Sequence, residues 1–340
     1  MGKGRLRAGL IGLGMMGRHH ARVLRTLEGV ELVAVADPMG DPHGVAHGVD
    51  VLDSVSKLIA AGIDICVVAV PTDEHESVGL ALAEAGVHTL IEKPLSSEYD
   101  SAARVAAAFE ESGRIGCVGH IERYNPALQG LRARLEHGEL GEIYQVATRR
   151  QGPFPNRITD VGVVKDLASH DIDSTAWVTR QPYRSVSART AHKSGRQHED
   201  LVAVVASLAD DTVANHLVNW LSPMKERITV VTGERGAFVA DTLNADLYFH
   251  ANGVEPLQWE AMASFRGVTE GDMIRYAIAK PEPLLVELQH FRDAVLGVPG
   301  AQHQIVGMNE GMTIVSVAEA ILRSAGSGRT VEVGDQGGYS

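Results

Sequence analysis

Cysteine is scarce in this chain. Cys66 and Cys117 are the only two among 340 residues, and both fall in short apolar runs that read as buried strands. Two reduced core thiols fit that placement, because free cysteine packs as a small hydrophobe. So few thiols exclude a disulfide scaffold and suit a reducing cytoplasm, the expected location. Long apolar runs are also missing. No stretch of about 18 apolar residues is present, which excludes a membrane-spanning helix. Residues 1–7 are basic, but the apolar run 9–14 behind them is too short for a signal-peptide core. No block of roughly five like charges appears, so there is no basic tail or patch for nucleic acid. Internal repeats and low-complexity segments are absent.

What is present suits a two-domain globular protein. The length exceeds one typical core. Hydrophobic residues make up 44% and charged residues 22%, ordinary values for a folded chain. The net charge is −12, from 31 basic and 43 acidic residues, a balance that favours solubility and says little about fold.

The first third alternates strand and helix signals. Strands are predicted at 6–11, 31–36, 64–70, 88–91 and 115–119, with a short connection at 51–61. Helices are predicted at 15–27, after Asp53, at 74–85 ending at Gly86, and at 96–112 ending at Gly113. The run 64–70 is continuously apolar, as a strand buried on both faces should be. Such repeats imply a parallel sheet with right-handed crossovers. After about residue 121 the rhythm changes. A helix at 126–137, a strand at 143–149 and a helix at 163–179 precede strands at 185–190, 201–208, 213–221 and 226–232, with more to Phe249. Strands in succession suggest a mostly antiparallel open sheet. Helices at 283–295 and 309–324 close the chain, and a frayed tail is expected at 334–340. The predicted class is α/β: an N-terminal Rossmann-type doubly wound parallel sheet over 1–121, then an α/β domain with a large, mostly antiparallel open sheet over 122–340.

The stretch Gly12-Leu13-Gly14-Met15-Met16-Gly17 is G-x-G-x-x-G, following a strand and opening a helix, the context that a dinucleotide fingerprint requires. Gly12 permits the tight turn, Gly14 clears space for a pyrophosphate, and Gly17 lets helix and strand pack closely. The helix N-terminus supplies free N–H groups and partial positive charge, so an acidic chain holds the cofactor phosphates locally. Asp37, twenty residues past Gly17, sits at the end of the second strand, where a carboxylate bonds the ribose hydroxyls and repels the extra phosphate of NADP. The following Pro38-Met39-Gly40 offers no Arg, so NAD is expected over NADP. A glycine-rich structural turn is the alternative. His19 and His20 lie just inside the helix and are assigned to its surface, with contact of one of them to the cofactor as the alternative.

The strand 88–91 ends in Glu92-Lys93-Pro94. Ligands of open α/β sheets bind outside the carboxyl ends of strands, which puts Lys93 near the nicotinamide, and Pro94 restricts it to an extended backbone. A lysine at a partly dry site can exchange protons; it can equally form a strand-end salt bridge. In 165–173, Asp166, His170 and Asp173 fall at i, i+4 and i+7 on one helical face. An imidazole held by a carboxylate suits proton transfer with a secondary alcohol. A solvated helix face or a divalent-metal site would use the same residues; no metal is expected, because no third cluster is evident.

These three elements, in this order, resemble the Gfo/Idh/MocA family (glucose–fructose oxidoreductase, inositol dehydrogenase and relatives) over nearly the full length. The resemblance implies a Rossmann domain followed by an α/β domain whose open sheet is often used for oligomer contacts, so a homodimer or homotetramer is expected. It also implies oxidation or reduction at a secondary carbon of a sugar or cyclitol, with Lys93, Asp166 and His170 lining the substrate as the catalytic set. The expected cofactor-binding set is Gly12, Gly14, Met15, Met16, Gly17, Asp37, Pro71, Thr72, His75, Glu92 and Lys93. Within the family, Gly119-His120-Ile121-Glu122-Arg123-Tyr124-Asn125-Pro126 and Arg149-Arg150-Gln151-Gly152-Pro153-Phe154-Pro155-Asn156-Arg157 resemble the nucleotide-sugar 3-dehydrogenases, including those acting on UDP-N-acetylglucosamine. Asp160-Val161-Gly162-Val163-Val164, standing where relatives often have a Gly-Gly pair, agrees. Tyr124, Asn125, Arg149 and Arg157 join the expected substrate-binding residues. Arg149, Arg150 and Arg157 could fork onto a diphosphate or be strand-surface charges. The expected reaction moves hydride between a sugar carbon, C3 of a nucleotide sugar, and NAD. An inositol or free-sugar dehydrogenase, a 3-keto-sugar reductase and a non-enzymatic NAD sensor are the alternatives.

Overall fold

A computed structural model describes residues 5–155, 161–253 and 269–334. Arg157, Asn156 and the tail 335–340 lie outside the described residues. The chain divides into two compact units. Among the described residues, the first holds those up to Ile121, Val161 and Glu282–Glu319; the second holds the rest.

In the first unit six parallel strands, β1 (Leu6–Ile11), β2 (Val30–Ala36), β3 (Asp50–Leu52), β4 (Ile65–Val68), β5 (His88–Glu92) and β6 (Gly116–Gly119), lie in the order β3-β2-β1-β4-β5-β6. Helices α1 (Met15–Thr26), α2 (Val55–Ala60), α3 (His75–Glu84) and α4 (Tyr99–Ser112) connect them. All four residues of β4 are buried, as its unbroken apolar run predicts. The strand order reverses between β1 and β4, so the switch point lies at their carboxyl ends, just where the glycine loop begins.

The chain first passes between units at 121/122 and returns to the first unit for Glu282–Glu319. Helix α7 (Pro283–Val295), the helix predicted at 283–295, belongs to the first unit. Its stripe Leu284, Leu288, Phe291 and Ala294 is buried in one cluster with Leu10, Val23, Leu24 and Val35 of β1, α1 and β2. An amphipathic stripe shows that a helix has a buried face; it does not name the partner.

The second unit is built on nine strands. They are β7 (Ile143–Pro153), β8 (Tyr183–Ala191), β9 (Leu201–Leu208), β10 (Val213–Asn219), β11 (Leu221–Gly233), β12 (Gly236–Asp241), β13 (Asp246–Gly253), β14 (Thr269–Arg275) and β15 (Val331–Glu332), in the order β14-β13-β12-β11-β7-β10-β9-β8-β15. Every pair is antiparallel except β7 with β10. Along β7 burial alternates, with Val146, Thr148 and Arg150 buried and Gln145 and Arg149 exposed. Helices α5 (Pro126–Glu136) and α6 (Ser169–Thr179) supply Ala127, Leu128, Leu131, Trp177 and Val178 to the core on the buried face, against Val146, Val231, Phe238 and Leu247. No helix among the described residues is long and apolar enough to cross a membrane.

Candidate active site

The three glycines of the loop differ in what surrounds them. Gly12 has φ +88°, and a Cβ there would meet the Ala69 carbonyl oxygen at 2.4 Å. A Cβ on Gly17 would lie 1.9 Å from the Gly12 carbonyl oxygen. A Cβ on Gly14 would meet nothing within 4 Å. Gly12 and Gly17 are therefore demanded by the fold, whereas Gly14 leaves open space at the N-terminus of α1. No side chain caps that terminus, so its first-turn N–H groups remain available. Asp37, just past β2, accepts hydrogen bonds from Leu13 N (2.9 Å) and Met39 N (2.8 Å). It ties loop to strand and keeps lone pairs for a hydroxyl. These residues fit a dinucleotide, whose pyrophosphate would lie over Gly14. Met15 is exposed and Met16 half-buried.

Lys93 follows β5 directly, and its peptide bond to Pro94 is cis. Beneath it sits a buried pair that the sequence did not disclose. His20, assigned above to the helix surface, is fully buried, and its Nε2 lies 2.8 Å from Glu92 Oε1; only His19 is exposed. Glu92 Oε2 accepts the Lys93 backbone N–H at 3.2 Å. Burial opposes the Glu92 charge, but His20 and Lys93 together hold its carboxyl below the usual range. Buried Glu287 on α7 goes the other way: burial, then the charge of Glu92, push it well above the usual range. Neither of its carboxyl oxygens has a hydrogen-bond partner among the described residues. Pro71 and buried Thr72 begin a short 3-10 turn leading into α3. Buried His75 contacts the Pro94 oxygen through Nδ1 (2.9 Å) and the Val70 oxygen through Nε2 (3.1 Å), linking two strand ends. Its pKa is lowered by burial.

In the second unit the helix predicted at 163–179 is two segments. Val164–Ala168 is a π-helical turn carrying buried Asp166, and α6 follows with half-buried His170. Periodicity does not separate a π turn from an α turn, yet such turns recur at functional sites. Glu199 secures the entry: its Oε1 accepts Val164 N at 3.0 Å, and its backbone oxygen accepts Val163 N at 3.0 Å. A Cβ on Gly162 would strike that carboxylate at 2.0 Å, so a small residue is required there.

Two expectations change here. Asp173, grouped above with Asp166 and His170, is fully buried and receives Arg123 through Nη2 at 2.7 Å and Nε at 3.0 Å. Arg150 is no diphosphate ligand: it is buried, bonded to Asp171 (3.0 and 3.1 Å) and to Glu122 (2.9 Å). The Arg150–Asp171 pair braces α6 against β7, and the Arg123–Asp173 pair ties α6 to the short 3-10 turn Ile121–Tyr124. The ladder pairs Arg227 of β11 with Arg150, and its Nη1 lies 3.5 Å from Glu122 Oε1. Burial, then the charge of Arg150, lower its pKa, and Glu122, Asp171 and Asp166 oppose the shift. Arg227 was not legible in the sequence, because only the strand register brings it here. Exposed Arg149 pairs with Glu226 at 2.6 Å on the other face. Asn125 caps α5: its Oδ1 accepts Ala127 N at 3.0 Å and its Nδ2 donates to the Thr242 oxygen at 2.9 Å. Tyr124 is buried.

A doubly wound parallel sheet carrying this loop at its switch point defines a dinucleotide-binding protein. Residues 6–120 match the description "Oxidoreductase family, NAD-binding Rossmann fold", and residues 128–239 match "GFO/IDH/MocA C-terminal domain". The chain belongs to the Gfo/Idh/MocA family of NAD-binding oxidoreductases. It is 28% identical over 295 residues to the UDP-N-acetylglucosamine 3-dehydrogenase of Acidithiobacillus ferrooxidans, covering 85% of this chain and 88% of that one. A crystal structure of that enzyme superposes with a TM-score of 0.79 at 24% identity, over 95% and 98% of the two chains. Inositol 2-dehydrogenase 4 of Saccharopolyspora erythraea is 33% identical over 192 residues, and the match spans 54% of this chain and only 57% of that relative. The WlbA dehydrogenase of Bordetella pertussis, solved with NADH and UDP-GlcNAcA, gives a TM-score of 0.76 at 23% identity, over 96% and 98%.

Proposed function

We propose that the protein oxidises a secondary alcohol of a sugar, C3 of a nucleotide sugar, with NAD as partner. The observation that carries this reading is the π turn running into α6: the turn carries a buried carboxylate, Asp166, and the first turn of α6 a half-buried histidine, His170, on a segment braced by buried ion pairs. NAD supplies the hydride acceptor when bound. In this reading Gly14 and the N-terminus of α1 hold its pyrophosphate, Asp37 holds the ribose hydroxyls, and Asp37 also favours NAD over NADP. His170, kept in orientation by Asp166, takes the hydroxyl proton as the C–H bond breaks. Lys93 donates a hydrogen bond to the same oxygen and steadies its developing charge.

The nucleotide-sugar assignment is supported by the 85% coverage of this chain in its match to a UDP-N-acetylglucosamine 3-dehydrogenase. A cyclitol substrate is the second reading. It is favoured by the internal engagement of Arg150 and Asn125, two side chains that a diphosphate or sugar would otherwise use. Nucleotide sugars and cyclitols screened side by side for NADH absorbance separate the two. Acid–base catalysis of this kind is worth on the order of 10²–10⁴-fold, so Lys93→Ala and His170→Ala should each lose that much kcat, with NAD affinity kept in His170→Ala. Full turnover in both variants would sink the assignment.

A further inference from the structure

Away from the residues assigned above, five basic side chains of the first unit surround one cavity. Arg18, Arg22 and Arg25 come from α1, and His43 and His47 from the connection between β2 and β3. The cavity measures about 230 Å³, Gly44 and Val45 complete its lining, and no acidic side chain lines it. The three arginines repeat at i, i+4 and i+7, so they form one stripe of the helix. In a chain of net charge −12, such a set is not the composition's background.

Two nearby carboxylates offset part of the cavity's charge, Glu282 at Arg22 and Asp41 at Arg25 and His43, and neither pairs with Arg18. Glu282 pairs with Arg22 alone. Asp41 turns both oxygens onto the connection's own backbone, accepting Val45 N at 2.7 Å and Ala46 N at 2.8 Å. Arg25 donates to the Val45 carbonyl oxygen, which fixes the connection against α1. The Arg18 side chain has no ion-pair or hydrogen-bond partner among the described residues. A preformed cavity thus holds one uncommitted guanidinium, two arginines fixed beside it and two imidazoles able to donate.

We propose that this cavity binds a phosphoryl anion. Guanidinium forks match phosphate oxygens in geometry and charge, and the volume suits a phosphate with a small attached group rather than a dinucleotide. Two sources share this chemistry. One is the 2′-phosphate of NADP, because Asp37 begins the same connection. The other is inorganic phosphate or a separate phosphorylated metabolite. The proposal does not depend on the reaction proposed above.

Calorimetric titration of the full chain with inorganic phosphate tests it, at constant ionic strength and with saturating NAD covering the Gly14 loop. Binding at one site is expected. Arg18→Ala should weaken it about tenfold or more, the loss of one charge-assisted bond, and Arg18→Lys should restore part of it. His47→Gln provides a second variant, from the opposite wall. A separate anion is the ligand if phosphate binds while NADP gains nothing over NAD. The 2′-phosphate is the ligand if NADP binds more tightly than NAD and Arg18→Ala abolishes that gain. No phosphate binding, together with an NADP-to-NAD ratio indifferent to Arg18→Ala, would overturn the proposal.

Discussion

At the scale of single residues, position decides what a substitution does, even within one motif. Gly14 faces open space and Gly17 faces a carbonyl oxygen. Gly14→Ala should therefore leave the melting temperature of the cofactor-free protein within about a degree while weakening NAD binding, read by fluorescence titration. Gly17→Ala should lower the melting temperature sharply, because an overpacked backbone contact costs about 1–3 kcal/mol or more. Glu287 gives a second prediction. Its pKa is raised in the folded state, so its contribution to stability is complete at low pH and is lost as pH rises above the carboxylate range. Glu287→Gln should remove that loss in urea titrations run upward from the ordinary carboxylate range; an unchanged pH profile would contradict the raised pKa. The glycine loop, Asp37 and Lys93 were legible because they are local: a strand, a turn and a strand end. The pairing of His20 with Glu92, 72 residues apart, was not, since only the parallel packing of α1 on the sheet brings them together. Nor was the raised pKa of Glu287, which depends on its burial and then on Glu92 from the far end of the sequence.

Among the elements, the braced segment 164–179 shows how much pattern can convey. Its apolar positions announced a helix near Asp166 and His170, and the helix is there. The π turn and the partners of Asp171 and Asp173 required tertiary structure, because Arg150 and Arg123 lie on other elements. The same holds for β10, where the sequence indicates a strand but not that His216 faces inward or what it meets. His216 shares hydrogen bonds with Thr148 Oγ1 and the Tyr183 hydroxyl, each at 2.8 Å. Burial lowers its pKa to about 4. The fold thus favours the neutral ring, so its contribution is complete above the ordinary histidine range near pH 6.5 and is lost as pH falls toward 4. The loss is on the order of 3 kcal/mol. His216→Gln, which can still bond both hydroxyls, should show a visibly shallower decline in melting temperature across that interval.

For the molecule as a whole, the sequence disclosed two α/β units and the sheet type of each, and missed the ownership of α7. Leu284, Leu288 and Phe291 complete the core around Leu10, Val23 and Leu24. A fragment of residues 1–121 should accordingly expose an apolar groove and bind a hydrophobic dye such as ANS. Joining 282–319 to it through a flexible linker should suppress the dye signal and raise the melting temperature. Equal behaviour of the two fragments would mean that α7 is dispensable. This arrangement also bears on synthesis. The ribosome releases every strand of the first sheet well before it makes Leu284, so the nascent nucleotide-binding half waits, with its groove uncovered, while residues 120–283 are translated. A chaperone that shields apolar grooves has its natural window there.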